Sequence, residues 1–233
     1  MSSNLIKIES TPDLVEQVYA SLLDAISDGT LPPGARIMQE DIAEQLAVSR
    51  QPVLQALRLL RKDGFVLDAP GRGVLVAPLD VTTLVQIYQV RSTLDALAAR
   101  LAAQAKVVLD ARLITQGRVA ARGTDIKAMM TADAAFHNAI YAASGNPLIA
   151  HTAQKHWHHI HRAMGAVLQL STMRESIWDE HEAIAAAIAT GDEDRAESLS
   201  RQHGEDASHN LASQLSTALK QSANAIPSAA LSI

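Results

Sequence analysis

Apolar residues recur at helical spacing from early in the chain. Leu14, Val18, Leu22, Leu23 and Ile26 share one face of a segment that reads as a helix from Thr11 to Ser27. Thr11 is placed to cap it, and Pro12 sits in the first turn, where a missing N–H has no helical partner to lose. Asp28-Gly29 ends the helix, and Leu31-Pro32-Pro33-Gly34 makes a stiff turn. A short helix is predicted from Gln39 to Leu46, with Ile42, Ala43 and Leu46 facing inward. After a brief turn at Ala47-Val48, Ser49 caps a third helix running to about Asp63, with Val53, Leu57 and Leu60 as its buried stripe. The period then changes. Phe65–Ala69 and Val74–Ala77 read as two short strands around Pro70-Gly71-Arg72-Gly73, a hairpin closed by Pro78. From Val81 to about Lys220 the helical period returns, interrupted near 106–110, 122–124, 144–147, 170–173 and 190–192, and a small-residue tail from Ser222 is expected to fray. The expected fold is mainly α: a winged helix-turn-helix over 11–78, then an all-helical bundle of six or seven helices over 81–220.

Composition sharpens this picture in three ways. Alanine and leucine dominate and aromatics make up 3% of the 233 residues, which favours helix over sheet. The absence of cysteine excludes disulfides, thiol catalysis and Cys-type zinc sites. The net charge of −5 argues mildly against a nucleic-acid partner, yet between 50 and 72 Arg50, Arg58, Arg61, Lys62 and Arg72 outnumber Asp63 and Asp68 by three. No signal peptide is expected at Met1–Lys7, and no apolar run approaches the roughly 18 residues of a membrane span. A cytoplasmic location is therefore expected.

Helix, turn, helix and hairpin in that order suit DNA. The second helix of such a pair enters the major groove with its first residues nearest the base edges, here Ser49, Arg50 and Gln51. Arginine can donate twice to guanine and glutamine can pair with adenine, while Ser49 and the helix N-terminus can hold a phosphate. Arg72, flanked by Gly71 and Gly73 at the hairpin tip, can enter the minor groove. The alternative is that any three-helix unit with a hairpin gives this pattern, leaving Arg50 and Arg72 as solvated surface residues.

Several runs carry a resemblance. Ile26-x-x-Gly29-x-Leu31-Pro32-Pro33-Gly34, Ile42-Ala43-Glu44-x-Leu46-x-Val48-Ser49-Arg50-x-Pro52-Val53, Ala56-Leu57-x-x-Leu60 and Asp63-Gly64-x-Val66 resemble the GntR family of bacterial regulators. The resemblance implies base contact by Arg50 and a wing role for Gly73 beside Arg72. One departure stands out: where the family usually reads Pro-Val-Arg-Glu-Ala-Leu, this chain has Leu54 and Gln55 in place of the arginine and its acidic neighbour. A familiar contact is missing, and Gln55 is a candidate substitute for reading a base.

In the helical region, Asp133 and His137 are four apart and share one face. His181 lies ten residues before Gly191 and His203 twelve after it. In an antiparallel hairpin turning at Gly191, both would sit about 15–18 Å from the turn, at similar height. Three imidazoles and a carboxylate converging inside a bundle suit a divalent metal. With nine histidines in the chain, such pairings also arise by chance, and these side chains could equally be hydrogen-bonded core histidines.

Val90-Arg91-x-x-Leu94-Asp95-x-x-Ala98-Ala99, Asp133-x-x-Phe136-His137-x-x-Ile140-x-x-Ala143-Ser144-Gly145-Asn146-Pro147 and Glu180-His181-x-x-Ile184-x-x-Ala187-Ile188 resemble the FCD effector domain of the FadR-type branch of the same family. That resemblance implies zinc or nickel held by Asp133, His137, His181 and His203. It also implies a small organic acid bound at the metal, with Arg91 as the candidate partner of its carboxylate. Asp95 replaces the family's usual glutamate, with no obvious chemical consequence. Further implications are a homodimer on a near-palindromic operator, repression relieved by the acid, and no enzymatic activity. Two rival readings are an enzyme whose metal activates water, disfavoured because no separate general base is evident, and a sensor of the metal ion itself.

Overall fold

The computed structural model describes residues 14–167 and 175–224. The expected cap at Thr11-Pro12, the break at 170–173 and the tail beyond 224 lie outside the described residues. The chain divides between Pro78 and Leu79 into two compact units.

The first unit contains α1 (Leu14–Ser27), β1 (Arg36–Ile37), α2 (Gln39–Gln45), α3 (Arg50–Lys62), β2 (Val66–Asp68) and β3 (Val74–Val76). Val18, Leu22, Leu23 and Ile26 of α1 form a core with Val53, Ala56, Leu57 and Leu60 of α3, joined by Phe65, Val66 and Val76. That is the helical stripe read from the sequence, because residues three and four apart lie over one another on a helix. The sequence predicts a two-stranded hairpin, but the wing has three strands. β3 lies between β1 and β2, antiparallel to both, with Ile37 opposite Val74 and Leu67 opposite Leu75. Arg36 belongs to the added strand, and its guanidinium donates to Pro70 O at 3.2 Å and Arg72 O at 2.5 Å, tying down the wing tip. Gly73 has a φ of +81°, and a Cβ there would stand 2.5 Å from Ile37 O, so the turn requires glycine.

Ala47, between α2 and α3, has a φ of +51°. The Val48 N–H there donates to Ala43 O at 3.0 Å, closing α2 through a left-handed residue. A Cβ in this region costs about 1 kcal/mol, and Ala47 is exposed. Ala47→Gly is therefore expected to stabilise this unit by about 0.5–1 kcal/mol. Thermal unfolding reads the change as a rise of a few degrees, and a fall in midpoint would contradict it.

The second unit contains six helices among the described residues: α4 (Val81–Gln104), α5 (Arg112–Arg122), α6 (Ile126–Ala143), α7 (Pro147–Val167), α8 (Ser176–Thr190) and α9 (Glu193–Asn224). Asp80 caps α4, accepting from the Thr83 N–H at 2.7 Å. Alanines 98, 99, 102 and 103 of α4 let other helices approach closely. They share a core with Phe136, Ile140 and Tyr141 of α6 and Ile184 and Ile188 of α8. α8 and α9 are separated by Gly191 and Asp192 alone. Gly191 has a φ of +76°, and the Asp192 N–H donates back to Ala187 O at 3.1 Å. The expected break near 190–192 is therefore a tight helical hairpin. The small-residue run expected from Ser222 begins inside α9 rather than after it.

Candidate metal centre and nucleic-acid interface

Two surfaces can be built from the expected residues, one in each unit. In the first, Ser49 precedes α3 with extended backbone and makes no side-chain capping bond. Arg50, Gln51, Gln55 and Arg58 are exposed, whereas Pro52, Val53 and Ala56 point into the core and Leu54 is half-buried. The Arg50 side chain is 68% exposed, and its Nη1 stands 3.4 Å from Glu40 Oε1. The Gln39 amide donates to Arg50 O at 2.6 Å, so α2 braces the start of α3. Arg72 is exposed at the wing tip, with its carbonyl held by Arg36. Sequence reasoning missed Arg36, Gln39 and Glu40, because their partners lie eleven or more residues away or in another element.

In the second unit, Asp133 and His137 come from α6, His181 from α8 and His203 from α9. Nitrogens of the three histidines all lie within 4.8 Å of one another. His181 Nε2 and His203 Nε2 are 3.2 Å apart. Asp133 Oδ1 is 3.6 Å from His181 Nε2 and 3.9 Å from His137 Nε2. All three imidazoles are buried, and the His181 ring stacks on Phe136 at 4.2 Å between centroids. Burial first, then Arg91 and the neighbouring imidazoles, pushes His137 well below the usual histidine range; burial, His203 and Arg91 do the same to His181. Both are therefore neutral near pH 7, the form whose nitrogen lone pair can bind a metal. Burial raises the Asp133 carboxyl.

Glu180 and Asp95 support the cluster from outside. Glu180 Oε2 lies 2.7 Å from His203 Nδ1, which fixes the tautomer that leaves Nε2 free to ligate. Asp95 Oδ2 lies 3.7 Å from His137 Nδ1 and 3.3 Å from Arg91 Nε, while Asp95 Oδ1 accepts from the Tyr141 hydroxyl. Arg91, only 4% exposed, places its guanidinium 3.8 Å from the Trp157 ring centroid. Burial opposes its charge, but Asp95 with Tyr141 and Tyr88 outweighs burial and raises it further. Asp95, which from sequence replaces the family's glutamate with no obvious chemical consequence, supplies the negative charge that offsets this buried cation.

The donor set fits a borderline divalent cation. Three imidazole nitrogens and one carboxylate oxygen are the ligand types such an ion takes, and an outer carboxylate orients one of the imidazoles. Beside the cluster opens a cavity of about 160 Å³, lined by Arg91, Asp133, His137 and His203 and by apolar Met164, Ile177 and Leu211. No helix among the described residues is long and apolar enough to cross a membrane.

Comparison with known proteins agrees with this layout. The profile of the FCD domain matches residues 86–206, and that of bacterial regulatory proteins of the gntR family matches residues 14–76. The chain is 33% identical over 142 residues to an HTH-type transcriptional regulator in the TAR-I ttuE-ttuC' intergenic region of Agrobacterium vitis, covering 58% of this chain and 83% of that protein. It is 27% identical to the HTH-type transcriptional regulator McbR of Escherichia coli K12, covering 76% and 83%. It is also 27% identical to a probable D-xylose utilization operon transcriptional repressor of Paenarthrobacter nicotinovorans, covering 82% and 85%. Among solved structures, E. coli McbR/YncC superposes with a TM-score of 0.73 at 22% identity, covering 89% of this chain and 99% of that one. A GntR transcriptional regulator from Rhodococcus sp. RHA1 gives 0.69 at 25% identity, covering 84% and 96%.

Proposed function

Because the chain belongs to the GntR family of bacterial transcription regulators and carries that family's FCD domain, we propose that it is a ligand-responsive DNA-binding repressor, released from its operator by a small organic acid. The observation that carries this reading is the convergence of Asp133, His137, His181 and His203 beside a cavity that Arg91 also lines. These four side chains would hold zinc or nickel, which when bound supplies a Lewis-acidic attachment point for a carboxylate. Arg91 is the protein's own cation for that carboxylate, and its flat, fixed donors suit the match.

On the DNA side, Arg50, Gln51 and Gln55 read base edges in the major groove, and Ser49 holds a phosphate. Arg72 follows the minor groove from the wing, where Gly73 keeps the tip low. Two chains pair so that two such units meet half-sites one helical turn apart. The acid shifts DNA affinity by its differential affinity for the two arrangements of the DNA-binding units.

Fluorescence anisotropy with duplexes from upstream of the chain's own gene tests this. The metal-loaded protein should bind one duplex specifically, and Arg50→Ala should lose about 1–3 kcal/mol per base contact. An organic acid should weaken binding with metal present and not after chelation. Failure to bind any upstream duplex would overturn the regulatory reading. A response to metal alone would make the ion itself the signal.

A further inference from the structure

The buried side of the cavity holds Arg91, His137 and His203. Arg91 is nine-tenths buried, and its Nε–H has no accepting partner, since Asp95 Oδ2 at 3.3 Å lies out of line for a hydrogen bond. A buried donor without a partner costs free energy, and Arg91 itself lines the cavity, where its guanidinium can pair with an incoming carboxylate. Met164, Ile177 and Leu211 give it apolar lining. The exposed Asp206 and Asn210 and the half-buried Gln214 of α9 also line it, each four residues from the next and so on one face. At about 1.5 Å per residue they lie roughly 5, 10 and 16 Å along the helix from His203. Among the described residues, four carboxylates, Asp95, Asp133, Glu180 and Asp206, line the cavity against one guanidinium. A divalent ion in the histidine cluster still leaves negative charge in excess. Asp206 has one oxygen engaged by the Gln202 amide at 2.9 Å, and its second oxygen can accept.

Resting on the reading of the cavity as an acid-binding site, we infer that the effector is a monocarboxylate whose far end donates hydrogen bonds, through a hydroxyl or an ammonium group. Its carboxylate lies at Arg91 and its chain against Met164, Ile177 and Leu211. Its donor meets Asp206 and the amide oxygens of Asn210 or Gln214. A second carboxylate at that end would face Asp206 and Glu180 with no lysine or arginine beside it among the described lining residues, and a methyl group would displace water from these acceptors without replacing its hydrogen bonds.

The test is isothermal titration of the full chain with zinc, using four compounds that differ only at the far end. These are 4-hydroxybutanoate, 4-aminobutanoate, pentanoate and pentanedioate, together with their homologues one and two methylenes longer. The hydroxyl- or ammonium-ended acid should bind at least about tenfold more tightly than the methyl- and carboxylate-ended acids of the same length, a difference of about 1.4 kcal/mol. Asp206→Lys, at an exposed position that leaves the core intact, should reverse the order in favour of the diacid. Diacid or methyl-ended binding as tight as that of the donor-ended acids overturns this inference alone. Binding by no member of the series overturns the acid-sensing reading of the cavity as well.

Discussion

Replacing Asp95 with alanine is expected to destabilise the C-terminal unit by about 3–5 kcal/mol, the usual consequence of stranding one member of a buried ion pair. Asp95 and Arg91 are both almost wholly buried, and among the described residues no other carboxylate forms an ion pair with Arg91. The Tyr141 hydroxyl, itself buried, would lose its acceptor in the same step. Asp95→Asn keeps an acceptor for Tyr141 but removes the charge, so its loss should fall between wild type and Asp95→Ala. Urea unfolding followed by circular dichroism measures both variants. An alanine variant as stable as wild type would mean that Arg91 is neutralised from elsewhere.

Adding zinc or nickel to chelator-treated protein, at about a thousand times its dissociation constant, is expected to stabilise the fold by about 4 kcal/mol. For a chain of this size that corresponds to a midpoint rise of about 10 °C. The three histidines are already gathered, so binding requires little reordering, and it releases no proton from His137 or His181. His181→Ala should abolish the rise, since its Nε2 lies close to both Asp133 and His203. Differential scanning calorimetry with and without metal measures this. The same midpoint with and without either ion would remove the cluster from consideration as a metal centre.

The parts of the structure legible in the sequence were those fixed by local spacing. Val18, Leu22, Leu23 and Ile26 announce a helix because its period is short and repeated. Asp133 and His137 announce a shared face for the same reason, and Gly191 marks a turn that sets His181 and His203 at matching heights. What escaped depended on pairing across distance. β1 is two residues long, too short for alternation to be visible, and forms only because β3 offers it an edge. Glu180 adjoins His181 in sequence yet serves His203, because consecutive helical residues diverge by about 100° while the hairpin partner lies opposite. Asp95 meets Tyr141 across 46 positions, a contact that no window along the chain contains.

The two-residue joint at Gly191-Asp192 sets a limit on how this protein can drift. Both residues are engaged, one ending α8 through a left-handed backbone and the other opening α9 by accepting from the Arg195 N–H. An extra residue here has no slack to disappear into, and each residue of slippage turns everything downstream by about a hundred degrees. His203 would swing away from its companions while every side chain in the chain stayed chemically intact. Over evolutionary time this connection can tolerate changes of letter far better than changes of length.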